Sequence, residues 1–522
     1  MKKKDKKNTE KNKSKANSSD SKSVQKKKKS KKGLITIIVS VLVIALLVVL
    51  LIVVNRMPTM GDNDTESTVS EFAEEYTLLN HAPSEIEEMT VENENGRFTV
   101  LSHTPTVQST AEDGTVSEAT EATEYTLVGY EDMKLKPAAP DALASDLANM
   151  TSNKIVDDGS KKSDFGLDNP RATATVKYKS GETVTVYLGA DAPSDMGAYV
   201  MVEGMSNIYL VTAEAVDSFM YGAMDLITNE IGSSADTTEN AVFTKMVFGG
   251  RLYGEDVVLE NSTSDAYSES YVITSPDKTI ANEETVSYMV NAVRNLTADK
   301  VLAIGLTEDE LSRYGLDDPY VTVDAEYPDV SVSYRASEPD ADGKVYLERD
   351  GIVYQISKGS LPWVTATYES MLPTNVLSPK LSAVSKVTVT AADKSYEFAV
   401  SNETTVTHDS DNDTDVESTE TTIKCGNKDL DEGNFRVFYQ NLTSAKRSEK
   451  AEVPTGKSAV LTVSYEYTDG TKDTAVYYEG ENRKCTVVVN DNLASQTFET
   501  YVSTIIADVE KAANGEAVAS IS

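Results

Sequence analysis

Hydrophobic and polar positions follow three different patterns along this chain. Leu34 to Val54 is an unbroken run of 21 apolar or small residues without a charge. As a helix rising about 1.5 Å per residue it is about 30 Å long, the thickness of a bilayer core. Beyond it the pattern is mainly of period two. EMTVENENGRFTVL, FTKMVFGGRLYGEDVVLE and VSKVTVTAADKSYEFAV alternate Val, Thr, Phe and Tyr with polar residues, and Asn-Gly or Gly-Gly marks turns. These runs predict strands and hairpins. DALASDLANMT, SYMVNAVRNLT and NFRVFYQNLT instead space apolar residues by three and four, as at Leu143 and Leu147 or Met289 and Val293, and predict helices.

The patterns recur. Asn149-Met-Thr-Ser-Asn-Lys154 matches Asn295-Leu-Thr-Ala-Asp-Lys300 and Asn441-Leu-Thr-Ser-Ala-Lys446, each step being 146 residues. Strand-like runs precede each hexapeptide. A meander follows: ATATVKYKSGETVTVYLG and AYVMVEGMSNIYLV, then VTVDAEYPDVSVSYRA and KVYLERDGIVYQIS, then AVLTVSYEYTDGTKDTAVYYEG and KCTVVVN. A short helix closes each unit, as in TAEAVDSFM. An internal period of this kind predicts tandem structural copies. The expected fold class is α+β: three tandem repeats of mainly antiparallel β modules with short helices, plus one N-terminal transmembrane helix. The modules are placed at 79–230, 240–375 and 381–512.

Charge sets the topology. Residues 1–32 hold 15 lysines and 3 acids, residues 33–54 hold no charge, and the remainder carries a net charge of −47. Lys26 to Lys29, Lys31 and Lys32 stand directly before the apolar run. Lysines flanking a span stay in the cytoplasm, which predicts a cytoplasmic tail (1–32), a signal anchor (33–54), an acidic stalk (55–78) and an extracytoplasmic bulk. Asn55-Arg56-Met57-Pro58 after the run is no signal-peptidase site. The tail also suits contact with anionic lipid, at about 1 kcal/mol per lysine. So acidic a surface excludes nucleic acid as a partner, which needs a basic footprint. Two cysteines, Cys425 and Cys485, make no disulfide scaffold, and their pairing with each other stays open.

Several constellations resemble chemistry. Asp409, Asp411, Asp413, Asp415 and Glu420 have the spacing of a calcium loop, with Glu420 at the twelfth place. Thr414 replaces the turn glycine, and matching polar excursions in the other copies lack the spacing, so a variable hairpin tip is the preferred reading. Ala451 to Ser458 fits a relaxed phosphate-loop pattern around Lys457, but a strand follows it rather than a helix. Ser275 and Lys278 share a serine–lysine spacing across a Pro-Asp turn. His81, His103 and His408 find no ligand partner at metal spacing. Trp363 reads as a core anchor, and Tyr465, Tyr467, Tyr477 and Tyr478 as cross-strand packing. No catalytic residue, cofactor or committed metal site is expected, and the chain reads as non-enzymatic.

Phe165-Gly-Leu-Asp-Asn-Pro170 and Tyr314-Gly-Leu-Asp-Asp-Pro319, with the YLG turn, AYVMVEG and IYLV, resemble the bacterial "domain of unknown function 4340" family in tandem copies. The resemblance covers most of 79–375, and the third copy lacks the Gly-Leu-Asp-x-Pro turn. It implies a membrane anchor and an accessory place beside permease and ATPase subunits of a gliding-motility-type ABC transporter. The alternative is a surface module binding a wall polymer or a basic ligand.

Overall fold

The structure is a computed structural model. It describes residues 75–110, 116–120, 122–193, 196–232, 242–409 and 414–521, which fall within a compact unit, Ala73–Ser522. The predicted tail, the apolar run and the stalk up to residue 74 lie outside the described residues. Among those described, no helix is long and apolar enough to cross a membrane.

The architecture is α+β, built on three large antiparallel sheets of eight, nine and eight strands. All three share one strand order. A central strand (Ile86–Asn93, Lys245–Gly249, Val384–Ala391) pairs on one side with its hairpin partner (Gly96–His103, Val257–Asn261, Lys394–Asp409). On the other side it pairs with the first strand of the meander (Ala172–Tyr178, Val321–Glu326, Ala459–Tyr467). Three more strands continue outward. In the first two sheets the strand after the helix, Lys154–Asp157 or Lys300–Ile304, crosses over to pair with the last strand of the meander. In the third, a single bridge between Lys450 and Ser495 occupies that edge.

Alternation decides which face is covered. Ala172, Ala174, Val176 and Tyr178 turn inward, while Thr173, Thr175 and Lys177 are partly exposed. One helix covers the inner face in each copy: α1 (Ala138–Ala148), α2 (Glu283–Arg294) and α3 (Glu432–Leu442). Asn282 and Asp431 cap α2 and α3 by accepting from the amides of Thr285 and Asn434. A buried tyrosine hydroxyl donates to a last-turn carbonyl of each helix: Tyr178 to Leu147 at 2.6 Å, Tyr334 to Val293 at 3.0 Å and Tyr501 to Leu442 at 2.8 Å. Such a bond ties sheet or neighbouring helix to a carbonyl that has no partner within its own helix. Trp363 is fully buried and stacks on Tyr334 at 11°.

The same junction precedes each sheet. Tyr76–Asn80 pairs antiparallel with Asn149–Ser152, Glu230–Gly232 with Leu296–Thr297, and Asn375 with Lys446. The equal steps of 146 hold for the first two junctions only. In the third copy the pairing falls three residues later than the hexapeptide places it: Thr297 faces Glu230, but Lys446, not Thr443, faces Asn375. The cause is local. Asn149 and Asn295 cap α1 and α2 at their C-termini, whereas Asn441 lies inside α3. Its buried side chain bonds to the C-terminal tail, donating to Ala519 O at 2.7 Å and accepting from Ile521 N at 2.8 Å. The closing elements differ too: the first two copies end in short helical turns, the third in α4 (Glu499–Ala513).

The slip brings Arg447 to the place held by Ala298 in the second copy: their amides donate to the matching carbonyls of Thr374 and Asn229. Arg447 Nη1 reaches Ser495 Oγ at 3.2 Å, while its buried Nε and Nη2 have no hydrogen-bond partner among the described residues. Burial pulls its pKa down to about 10, which leaves it charged at neutral pH. Cys425 and Cys485 are free thiols, and four strands of the third sheet lie between theirs. At about 4.8 Å per strand that is about 24 Å, far beyond disulfide reach.

Asp146 on α1 accepts from Ser218 Oγ at 2.5 Å. Desolvation raises its pKa, against the Ser218 bond and with help from Asp217. A carboxyl whose folded pKa is raised favours the fold when protonated, so its penalty is present at neutral pH and vanishes as pH falls below about 4. Asp146→Asn is therefore expected to raise the melting temperature at pH 7 and to match the parent near pH 3, as followed by circular dichroism. An equal gain at both pH values would contradict the assignment.

Candidate functional site

A concavity of about 790 Å³ lies between the second and third sheets. The loop between strands Val257–Asn261 and Tyr271–Ser275 forms one wall. Ser262 N donates to Ser270 O at 2.7 Å, which closes the loop, and Lys380 N donates to Ala266 O at 2.7 Å, which holds it against the linker. Its tip, Ala266 and Tyr267, is buried with the core of the third copy rather than its own. The turns Tyr467–Thr471 and Val489–Asp491 form the opposite wall.

A polar knot closes the base. Tyr267 and Tyr467, 7% and 5% exposed, both donate to Asp473 Oδ2, at 2.5 and 2.6 Å, with their hydroxyls 2.8 Å apart. Asn490 Nδ2 donates to Asp473 Oδ1 at 2.8 Å, and Asn490 Oδ1 accepts from Thr474 N. Burial, then the neighbouring tyrosine and aspartate, push the Tyr267 phenol well above its ordinary pKa; burial and Asp473 do the same to Tyr467. Both stay protonated donors. Asp473 is consumed by this knot and holds the walls together.

The rim is different. Glu260, Lys278, Asp469, Lys472 and Asp491 line the cleft, all exposed; Lys472 stands opposite Glu466 across the hairpin and helps to lower its pKa. Asp469 bonds to Thr471 N and Oγ1, and those bonds hold its pKa down. Glu260 accepts a long bond from Thr274. Val272, Ile280, Leu377 and Val489 supply apolar surface below.

The residues singled out by sequence are scattered. Asp411 and Asp413 lie outside the described residues. Asp409 faces Thr414 at the end of a long ribbon, Asp415 faces His408, and Glu420 faces Glu403. Six residues separate Glu420 from Thr414, about 20 Å along a strand. Among the described residues no group of three or more His, Cys, Asp or Glu is placed to hold a metal ion. Lys457 donates to Glu479 O from a loop that leads into strand Ala459–Tyr467. Ser275 ends a strand, Asp277 accepts from Tyr368, and Lys278 enters the cleft rim. His81 stacks on Tyr178 with rings 3.7 Å apart, near Glu85 and Glu182. Of the tyrosines named, Tyr467 alone belongs to the knot. Tyr267 and Asp473, 206 residues apart, carry no local signal that sequence reasoning could use.

The Gly-Leu-Asp-x-Pro turns pack onto their sheets. Gly166 and Gly315 take φ of 72° and 67°, and Phe165 and Tyr314 meet Tyr199 and Tyr346 edge-on. The expected YLG turn is instead part of strand Thr183–Asp191; a Cβ on its Gly189 would stand 2.2 Å from Phe165 O, so this position admits no side chain. Fold and motif thus define a tandem, antiparallel α+β protein with a loop clamped on each of its first two sheets. The family model described as Domain of unknown function (DUF4340) matches residues 125–239 and 272–451, more than half of the chain, and the chain belongs to this family. The two matched stretches agree with tandem copies. The second runs beyond 375 through α3, so the likeness extends into the third copy. No curated protein and no solved structure matches the chain.

The knot makes a graded prediction. Tyr267→Phe is expected to cost about 1 kcal/mol, because Asp473 keeps two donors. Asp473→Ala is expected to cost about 2 kcal/mol or more, because it leaves two buried hydroxyls with only each other. Urea denaturation of each variant measures this; no loss for Asp473→Ala would contradict the network.

Proposed function

We infer that this chain is a membrane-anchored, extracytoplasmic, non-enzymatic accessory or scaffold subunit of an ABC-type, gliding-motility-like transport complex. The observation that carries this reading is the serial arrangement of three like sheets, each joined to the preceding segment by the same β-pairing. Repeated units stacked in series offer extended surfaces for partners. The uncharged run Leu34–Val54 and the lysines before it support the anchor. One uncharged helix offers no polar site at bilayer depth, so transport itself belongs to permease and ATPase chains. The resemblance to the family supports the same partners by association alone.

A second reading, a surface-binding module for a wall polymer or basic ligand, draws support from the charged cleft between the second and third sheets. A detergent pull-down with the tagged full-length protein separates the two. Recovery of a multi-span permease and a cytoplasmic ATPase is the expected outcome. Recovery of wall polymer without a membrane partner would transfer the assignment to the binding module.

A further inference from the structure

We propose that a slot along α3 docks an extended, partly apolar peptide segment of a partner protein, and that the chain's own segment Gly515–Ile521 closes it at rest. That segment shows what the slot takes. Beyond α4, Gly515 adopts φ of 71° and its amide closes on Ala512 O, which turns the chain onto α3. Lys428 Nζ donates to Asn514 O at 2.6 Å and Asn434 Nδ2 to Gly515 O at 3.2 Å. Asn441 Nδ2 donates to Ala519 O at 2.7 Å, and Asn441 Oδ1 accepts from Ile521 N at 2.8 Å. All four bonds reach the main chain. Asn434 and Asn441 stand about two turns apart on one line of α3. Asn441 holds the carbonyl of one residue and the amide of the second residue on, much as a neighbouring strand does. Contacts of this kind read an extended backbone, and specificity falls to the side chains that find pockets. Here those are Val518 and Ile521, partly buried against the core of the third copy, while Glu516, Ala517, Ala519 and Ser520 are exposed.

The slot needs an occupant, and the present one is held by little. Asn441 is 1% exposed, so without a chain beside it both ends of its amide would be buried and unpaired. Asn149 and Asn295, its counterparts in the hexapeptide, are exposed helix caps and have no such need. The occupant buries two apolar side chains, neither of them fully. A partner segment with larger apolar residues at the same spacing would keep the bonds from Asn434 and Asn441 and remove more apolar area from water. It competes with a segment tethered beside the slot, which therefore stays closed until such a ligand arrives.

The test uses the full-length protein in detergent micelles and the fluorescence anisotropy of a fluorescein-labelled peptide, Gly-Glu-Ala-Leu-Ala-Ser-Phe-amide. The double variant Val518→Asp/Ile521→Asp loosens the closing segment and leaves the slot intact. It is expected to bind the peptide at least tenfold more tightly than the parent does. Adding Asn441→Leu should remove at least tenfold of that affinity. A peptide with Asp in place of Leu and Phe should not bind, a readout that changes nothing in the protein. Equal affinity of parent and loosened variant, no saturable binding to the variant, or binding of the Asp peptide would overturn the proposal. Loss of the folded third copy in the loosened variant, seen by circular dichroism, would make the segment part of the core and overturn it too. Tighter binding of a peptide with the sequence of residues 515–521 than of the Leu and Phe peptide would assign the slot to the tail of a second copy instead.

Discussion

Backbone hydrogen bonds between the segment entering each copy and the segment leaving its helix hold the rest of the structure in register. Neither partner is a regular member of a large sheet, and each pairing is short, yet it recurs three times. It fixes where the helix ends, and therefore how the helix lies across the inner face of its sheet. The tyrosine bonds to last-turn carbonyls act at the same place: Tyr178, Tyr334 and Tyr501 each satisfy a carbonyl that would otherwise be buried without a partner. Packing of the apolar inner face supplies most of the stabilisation, and these few polar contacts choose one arrangement of that packing among several.

Between the second and third copies the chain adds a different device. The loop that forms a free hairpin in the first copy, Thr106–Thr110 with Val116–Thr120, and a long ribbon in the third turns inward in the second. It delivers Tyr267 into the neighbouring core. Two neutral phenols and one amide surround a single carboxylate, so the charge of Asp473 is compensated by donors rather than by a cation. The walls of the cleft are held at its base while its rim carries exposed charges of both signs. That division separates residues that build the cleft from residues available to a ligand.

Much of the fold is legible in the sequence because periodicity is local. Alternation in ATATVKY predicts which residues face inward, and the three-and-four spacing of Leu143 and Leu147 predicts the covering helix. The Gly-Leu-Asp-x-Pro turns carry the family likeness because their geometry is local too. The slip in the third copy is invisible at that level. Its hexapeptide has the right letters, but Asn441 is drawn into the helix by a tail 78 residues downstream. The knot is hidden for the same reason: a tyrosine in a variable loop and an aspartate in a strand gain meaning only once two copies touch. The rim residues look in the sequence like ordinary solvated charges, and their shared cleft is a product of tertiary placement.

Amide hydrogen exchange at the junctions tests the central claim most directly. The amides of His81, Ala298 and Arg447 donate across the three junctions to Ala148, Asn229 and Thr374. If those pairings set the arrangement of the copies, the three amides exchange as slowly as amides in the centres of the sheets, such as those of Val176 and Val323, because they open only with the copies themselves. Exchange of the junction amides at the rate of the exposed turns, with the sheet centres still protected, would show that the copies hold together without these bonds and would contradict the account.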